Sequence, residues 1–112
     1  MKTRNWIIAA VSLSLIVAAF LLLRTRPVEA SSAEIKIDNF TFSPRTLVVR
    51  KGTRITWTNR DDIPHTIVEN SRLFRSNVLD TGENFTFTPT QPGTYKYYCS
   101  IHPRMTAELM VR

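Results

Sequence analysis

The sequence predicts an all-β domain built as a small antiparallel sandwich. From Ala33 onward, apolar side chains alternate with polar ones at a period of two residues, which is the spacing of strands with one buried face. Turn-forming residues interrupt this alternation about every eight to twelve positions. Helix signals are nearly absent from this part of the chain. These three observations together favour short strands joined by tight turns.

The first strands contain a change of register. Ile35 and Ile37 share one face, whereas Phe40 and Phe42 have the opposite parity. We therefore expect a bulge near residues 38–39 to reset the register. Further strands are predicted on either side of a turn at Lys51-Gly52, through Leu47 to Val49 and through Ile55 and Trp57.

The second half of the domain continues the same pattern. A polar loop at residues 59–64 leads to His65, which is placed at the start of a strand predicted over residues 66–68. Leu73 and Phe74 lie in a less regular stretch. The remaining strands are marked by Phe85 and Phe87, by Tyr95, Tyr97 and Cys99 on one face after a turn at Gln91-Pro92-Gly93, and by Ala107, Leu109 and Val111.

An apolar N-terminal segment precedes this domain. Residues 6–23 carry no charge and follow two basic residues, which is typical of a segment that directs a protein out of the cytoplasm or anchors it in the membrane. The 18 residues reach the lower limit for a membrane span, whereas residues 28–30 fit a cleavage site ending at Ala30. We therefore predict one hydrophobic helix in residues 1–30, as signal peptide or membrane tether, and a periplasmic or otherwise extracytoplasmic domain in residues 31–112.

Size and charge limit the possible functions. The chain has a net charge of +6, but from residue 31 onward it carries 11 basic and 8 acidic side chains with no basic run, so we expect no nucleic-acid partner. A domain of this size has room for one small core and one site. The single cysteine rules out an internal disulfide, which leaves a bound metal as a candidate stabilising element.

Four side chains form a candidate metal site. Cys99, His102 and Met105 recur at three-residue intervals, and the only other histidine is His65. A thiolate and two imidazoles suit copper in a trigonal arrangement, and a thioether can add a weak axial contact. Zinc would take the cysteine and both histidines but would gain little from the methionine. The set therefore predicts a site for one copper that transfers single electrons.

The strand pattern explains how these residues could meet. Cys99 ends one predicted strand, Met105 precedes the next, and His102 lies midway in the connecting loop. Pro103 removes one more dihedral freedom beside His102. His65 follows Pro64 at the end of a different loop, so a metal would join two distant parts of the chain.

Several motifs resemble one family of copper proteins. The segment from Gly93 to Met105, GTYKYYCSIHPRM, together with TWTNR at residues 56–60 and Pro64-His65, resembles the amicyanin branch of the plastocyanin and azurin cupredoxins, the type 1 blue copper family. The resemblance spans residues 34–112. The short ligand spacing separates this chain from plastocyanins and azurins, and the seven residues after Met105 separate it from pseudoazurins, which continue into helices.

This resemblance implies a fold, a cofactor and a role. It implies a Greek-key sandwich of about eight strands and one copper bound by His65, Cys99, His102 and Met105. The protein is then a one-electron carrier rather than an enzyme, and electrons pass through the edge of His102. We expect a monomer whose redox protein partners dock on an apolar patch around this histidine, formed by Ile63, Pro64, Ile101 and Pro103.

The chain departs from the family pattern at two positions. Thr66 follows the first ligand where asparagine is usual, so the hydrogen bond that braces the site is expected to differ, although the Thr66 backbone N–H can still reach the thiolate. Ala107 replaces a common glycine after the axial methionine, which affects the local turn without removing a ligand.

Simpler interpretations exist for each residue. A lone cysteine or methionine usually packs in a core, and a lone histidine usually lies on a surface. The nearby histidine and methionine favour a ligand role for Cys99 instead. An unpaired thiol outside the cytoplasm is also prone to oxidation unless it is protected. The aromatic residues are expected in the core, and the charges of Asp61, Asp62 and Arg104 are expected to be solvated.

Other functions use some of the same features. A copper carrier or chaperone could use the same four ligands. A Cys/His nucleophile enzyme needs a cleft and a third orienting group, and multicopper oxidases and nitrite reductases need more histidines than two. A binuclear copper domain needs two cysteines in the loop. A metal-free adhesive sandwich would make the ligand spacing a coincidence.

Overall fold

The protein forms an eight-strand β-sandwich. The structure, a computed structural model, describes residues 31–112. The strands are β1 Ser32–Asp38, β2 Thr41–Ser43, β3 Thr46–Val49, β4 Arg54–Asn59, β5 Val68–Glu69, β6 Asn84–Phe87, β7 Gly93–Tyr98 and β8 Thr106–Val111. The predicted all-β class and strand number are confirmed. No helix in residues 31–112 is long and apolar enough to cross a membrane, and the predicted N-terminal helix lies outside the described residues.

Two four-stranded sheets face each other. The first has the order β2-β1-β4-β6 and the second the order β3-β8-β7-β5. Most neighbouring strands are antiparallel, as predicted, but β1 pairs with β4 and β3 pairs with β8 in parallel. The first parallel pair arises because the chain crosses to the second sheet after β2 and returns as β4 beside β1. β8 lies between β3 and β7. Because β7 and β8 are antiparallel, the last residue of β7 lies beside the first residue of β8.

The core lies between the sheets and is filled by the inward faces of the strands. Ile35, Ile37, Ile55 and Trp57 are fully buried, and they come from the alternate positions that the period-two pattern predicts. Phe74 packs against the Trp57 ring at a centroid distance of 5.7 Å, although it lies in the irregular stretch after β5. The other buried members are Phe42, Ile67, Leu79, Tyr97, Cys99, Met105, Ala107, Leu109 and Val111.

The register change after β1 is a turn, and the predicted bulge is wrong. Asp38 pairs directly with Thr41, so only Asn39 and Phe40 connect β1 to β2. Both residues have positive φ, 49° and 55°, which is the conformation of a type I′ hairpin turn. Such turns normally contain glycine. The parity of the apolar residues changes because a two-residue turn separates the strands, and not because a bulge inserts one residue into a strand.

The strand predicted at residues 66–68 is shifted. β5 comprises only Val68 and Glu69, paired with Tyr98 and Tyr97. His65 instead forms an isolated antiparallel bridge with Leu79. The two residues exchange both backbone hydrogen bonds, at 3.1 and 2.8 Å. Since this bridge lies apart from both sheets, a loop rather than a sheet edge positions His65.

Candidate metal centre

A short loop between two paired strands carries three of the predicted ligands. β7 ends at Tyr98 and β8 begins at Thr106, so Cys99, His102 and Met105 occupy the connection, as the sequence predicts. The Cys99 N–H donates to the Met105 carbonyl at 3.0 Å, and the Met105 N–H donates to the His102 carbonyl at 2.9 Å. These two bonds fold the loop back on itself. The ligand side chains are therefore brought together by the backbone.

The fourth predicted ligand approaches from the other side. His65 is completely buried. Its Nδ1 lies 3.7 Å from the Sγ of Cys99, which is also fully buried. The Nδ1 of His102 lies 3.9 Å from the same sulfur. One donor atom from each of the three residues falls within 4.8 Å of the others.

These donors fit a single metal ion of the predicted kind. A first-row ion held about 2.0–2.1 Å from nitrogen and about 2.3 Å from sulfur, with donors 120° apart, separates nitrogen from sulfur by about 3.8 Å. The two observed separations are 3.7 and 3.9 Å. One thiolate and two imidazoles are a donor set that copper prefers. Met105 is also buried, at the end of the same loop.

The surroundings of Cys99 favour its anionic form. Burial alone raises the pKa of the thiol, but hydrogen bonds from the Thr66 and His102 backbone N–H groups, together with the proximity of both imidazoles, outweigh it and lower the pKa to about 6. The Thr66 N–H donates to Sγ at 3.4 Å. A thiolate is the form that binds metal. The cysteine is therefore prepared as a ligand before any metal arrives.

Comparison with known proteins agrees with this geometry. A family model described as a cupredoxin-like domain matches residues 11–111. The chain belongs to the cupredoxin-like family. This membership agrees with the copper, the resemblance and the sandwich fold predicted from the sequence.

Individual cupredoxins match over most of the domain. Amicyanin-alpha from Methylorubrum extorquens is 28% identical over 109 residues, which cover 93% of this chain and 92% of the relative. Plastocyanin from Daucus carota is 39% identical over 72 residues, covering 54% of this chain and 74% of the relative. A purple cupredoxin from Nitrosopumilus maritimus has a similar structure, with a TM-score of 0.68 and 36% identity, and the match covers 71% of this chain and 99% of that one.

In this cupredoxin, Asp61 contacts the candidate metal site, and the sequence did not predict that contact. We expected a solvated loop charge, but only 8% of the residue is exposed. Its Oδ2 lies 2.8 Å from Nε2 of His65 and accepts a second hydrogen bond from the Phe40 N–H at 3.0 Å. The Phe40 hydrogen bond is the main reason that the pKa of Asp61 lies below its ordinary value, with His65 adding to it against the effect of burial. The charged carboxylate can only accept, so Nε2 of His65 carries the proton and Nδ1 offers its lone pair toward Cys99.

Asn59 shapes the loop that leads to His65. Its side-chain oxygen accepts the Asp61 N–H at 2.9 Å, and its amide nitrogen donates to the carbonyls of Ile63 and Leu79, both at 2.9 Å. The side chain is completely buried. A single amide therefore fixes both the start and the end of the loop before the histidine.

Thr66 joins the two halves of the site. Its hydroxyl oxygen accepts the Ser100 N–H at 2.8 Å and lies 2.7 Å from Ser100 Oγ. The expectation that the Thr66 N–H reaches the thiolate is confirmed by the 3.4 Å contact. The side chain thus braces the ligand loop.

Phe40 also lies at the site, and its position was not predicted. Its ring meets the rings of His65 and His102 edge to face, at centroid distances of 5.7 and 5.0 Å. Half of its surface is exposed. The change of parity after Ile37 could have indicated this position. A two-residue turn produces such a change as well as a bulge does, and it would have placed Phe40 in the turn. The ring therefore covers both imidazoles from the solvent side.

The surface around His102 is partly apolar. His102 is half-buried, Ile101 is 46% exposed, and Pro64 and Pro103 are exposed. Ile63, the fourth residue of the predicted patch, is half-buried. His102 is therefore the imidazole of this site that reaches toward the surface, because His65 is fully enclosed.

Proposed function

We propose that the protein is a type 1 copper protein that carries single electrons between redox enzymes outside the cytoplasm. One copper per chain is held by His65, Cys99, His102 and Met105. The observation that carries this proposal is the convergence of the Cys99 sulfur and the Nδ1 atoms of both histidines within 4.8 Å.

The donor set explains the choice of metal and of reaction. Bound copper supplies a one-electron Cu(II)/Cu(I) couple at a site where thiolate and thioether favour Cu(I) and imidazole accepts both states. Met105 is the fourth ligand in this assignment. Its sulfur would add a weak axial contact that zinc does not need.

The surrounding residues keep the ligand arrangement constant. The Cys99–Met105 and Met105–His102 backbone bonds hold the loop, and the Thr66 hydroxyl ties that loop to the His65 segment. Buried ligands with fixed hydrogen bonds move little when the charge of the site changes. This rigidity suits electron transfer, in which both oxidation states share one geometry.

The exposure of His102 supports a route for the electron. It is the histidine of the pair that approaches the surface, Ile101 and Pro103 flank it in the sequence, and the Phe40 ring contacts its imidazole. We assign the patch formed by Ile63, Pro64, Ile101 and Pro103 as the docking surface for redox protein partners. The chain acts as a monomer on this assignment, and residues 1–30 serve as signal peptide or membrane tether ahead of the domain in residues 31–112.

The family relationship supports a carrier rather than an enzyme. Amicyanins and plastocyanins carry electrons outside the cytoplasm, and they match this chain over much of its length. One buried metal site with a single half-buried histidine leaves little room for a substrate beside the metal.

An absorption spectrum tests the assignment. The domain, residues 31–112, is purified without metal and titrated with Cu(II), and we expect one equivalent to produce an intense visible band from the thiolate bond. Cys99→Ser removes that ligand and must abolish the band, whereas Ser100→Ala is a matched control that must retain it. A colourless wild-type product, or a band that survives Cys99→Ser, would contradict the proposal.

Electrochemistry separates an electron carrier from a copper carrier. We expect reversible one-electron voltammetry and fast self-exchange from the copper-loaded domain. Slow, irreversible waves together with ready transfer of Cu(I) to a competing chelator would show that metal delivery is the main role.

A further inference from the structure

We propose that Asp61 is the positioning residue of His65: its carboxylate fixes the imidazole with Nδ1 toward Cys99 and lowers the reduction potential of the site. The part that concerns the potential rests on the copper function proposed above. The part that concerns the ring does not, because it describes the metal-free protein.

The contact between the two side chains is direct and enclosed. Asp61 Oδ2 lies 2.8 Å from His65 Nε2, and the exposed fractions of the two side chains are 10% and 0%. Among residues 31–112, no arginine or lysine lies within ion-pair distance of this carboxylate. An imidazole has two ring nitrogens, and the acceptor at one of them determines which nitrogen is free to bind metal.

Asp61 is itself held in place by neighbours on both sides. The same Oδ2 accepts the Phe40 N–H at 3.0 Å, and the Asp61 N–H donates to Asn59 Oδ1 at 2.9 Å. The Thr81 hydroxyl donates to the Asp61 carbonyl. The Asn59 and Thr81 bonds therefore fix the backbone of Asp61, and the carboxylate cannot swing away from His65 without breaking its bond to Phe40.

Phe40 contributes to this arrangement through its unusual backbone. Its φ of 55° is sparsely populated for a side chain of this size and is normally avoided. That conformation directs the N–H to Asp61, while the ring lies against His65 and His102. Strained residues persist where the surrounding structure over-determines them, often at functional sites.

A charged acceptor on the far nitrogen changes the electronic character of the ligand. A carboxylate makes the imidazole more basic and more electron-donating toward a metal. The more highly charged Cu(II) gains more from this than Cu(I) does. The carboxylate therefore favours the oxidised state and lowers the potential, compared with a neutral acceptor in the same place.

Two neighbouring aspartates provide a matched experiment. Asp61→Asn keeps an oxygen acceptor but removes the charge, whereas Asp62→Asn removes the same charge from the next residue, which is exposed. In the copper-loaded full chain, we expect Asp61→Asn to weaken Cu(II) binding about 10–100-fold and Cu(I) binding much less. This corresponds to a potential raised by about 60–120 mV, at 59 mV for each factor of ten. For Asp62→Asn we expect the ratio of the Cu(II) affinity to the Cu(I) affinity to change by less than about threefold, because water screens an exposed charge.

The ring orientation is measured without metal. Nitrogen NMR of the copper-free wild type should show His65 protonated at Nε2 and unprotonated at Nδ1. Asp61→Ala should give a mixture of the two tautomers, and Asp61→Asn should restore the wild-type form. This rescue distinguishes positioning from a general loss of folding.

The outcomes separate the two proposals. Protonation of His65 at Nδ1 in the copper-free wild type, or equal potential shifts in Asp61→Asn and Asp62→Asn, would overturn the role of Asp61. Failure of the wild type to take up copper would overturn the proposed function and the effect on the potential. The NMR result would still decide whether Asp61 orients the ring.

Discussion

The backbone N–H of Cys99 donates a hydrogen bond to the carbonyl of Met105 at 3.0 Å, so the ligand loop closes on its own two ends. The last ladder pair of the flanking strands, Tyr98 with Thr106, lies directly beside this bond. The loop is therefore an extension of the β7–β8 hairpin. Its shape is imposed by the sheet, which keeps Cys99 and Met105 close together.

Copper should stabilise the domain strongly. A ligand present at a thousand times its Kd adds about 4 kcal/mol to the free energy of unfolding. For a domain of this size, that corresponds to a rise in Tm of about 15 °C or more. Scanning calorimetry of the wild type and of Cys99→Ser, each with and without one equivalent of copper, measures the effect. Equal melting of the two wild-type forms would argue against specific binding.

The copper-free protein should become more stable as pH rises through the range in which Cys99 titrates. The folded thiol has a pKa of about 6 against an ordinary value of 9.0. Between these values the unfolded chain holds a proton that the folded chain has lost, so the free energy of unfolding increases with pH, by at most about 1.4 kcal/mol per unit. This contribution is complete above pH 9 and absent below pH 6.

Urea unfolding at several pH values isolates that contribution. The stability difference between the wild type and Cys99→Ser should grow from pH 6 to pH 9, because serine does not titrate in this range. The subtraction cancels the titration of the other groups. A difference that stays constant with pH would show that the thiol pKa is not lowered in the fold.

Thr66→Val should loosen the connection between the two halves of the site. The substitution keeps the shape but leaves the Ser100 N–H without its acceptor, which costs about 1–3 kcal/mol. Ser100→Ala is the control, because it removes the Ser100 hydroxyl and leaves the N–H bond to Thr66 intact. We expect chemical denaturation to show a clearly larger loss for Thr66→Val, and the reverse order would contradict the assigned brace.

Asn59→Ala should be among the most damaging substitutions in the loop before His65. It removes three hydrogen bonds from a fully buried side chain and leaves the Asp61 N–H and the Ile63 carbonyl without these partners, while the Leu79 carbonyl keeps its bond from the His65 N–H. We expect a loss of about 3 kcal/mol or more in the free energy of unfolding. Asn84→Ala, at an exposed position on β6, should change it by less than about 0.5 kcal/mol. Similar losses in both variants would show that the Asn59 hydrogen bonds contribute little.

Phe40→Gly should show what the Phe40 ring contributes, because it removes the ring and also relieves the backbone strain. Glycine accepts the positive φ without strain and keeps the N–H, so the fold is retained. Loss of the ring exposes both imidazoles, and we expect a competing chelator to remove copper several times faster. Asn39→Gly relaxes the adjacent turn position without removing a ring, and its copper release should match the wild type. Equal release rates in all three proteins would remove the shielding role of Phe40.

The sequence predicted the features that depend on local spacing, and it did not predict those that depend on how a loop folds. The position of Cys99, His102 and Met105 in one loop was predictable because their spacing is short and local, and because the alternation of Tyr97 with its neighbours marks the end of a strand. Asp61 was not predictable as a partner of His65, because its burial depends on how Asn59 folds the loop back. The turn that contains Phe40 was predicted as a bulge because neither of its two residues is glycine, so the common signal for a type I′ turn is absent.

The position of β8 has a consequence for how the molecule assembles. β8 inserts between β3 and β7, which are far apart in sequence from each other, and pairs with both. The pairing of β7 with β8 is local, because only the ligand loop joins the two strands, whereas the pairing of β8 with β3 and the approach of His65 to Cys99 join segments more than thirty residues apart. Contacts of such long sequence separation slow the search for the native state. The hairpin alone can bring Cys99, His102 and Met105 together, but His65 joins them only when distant segments meet. A partly folded chain that contains only this hairpin therefore offers copper three of the four donors.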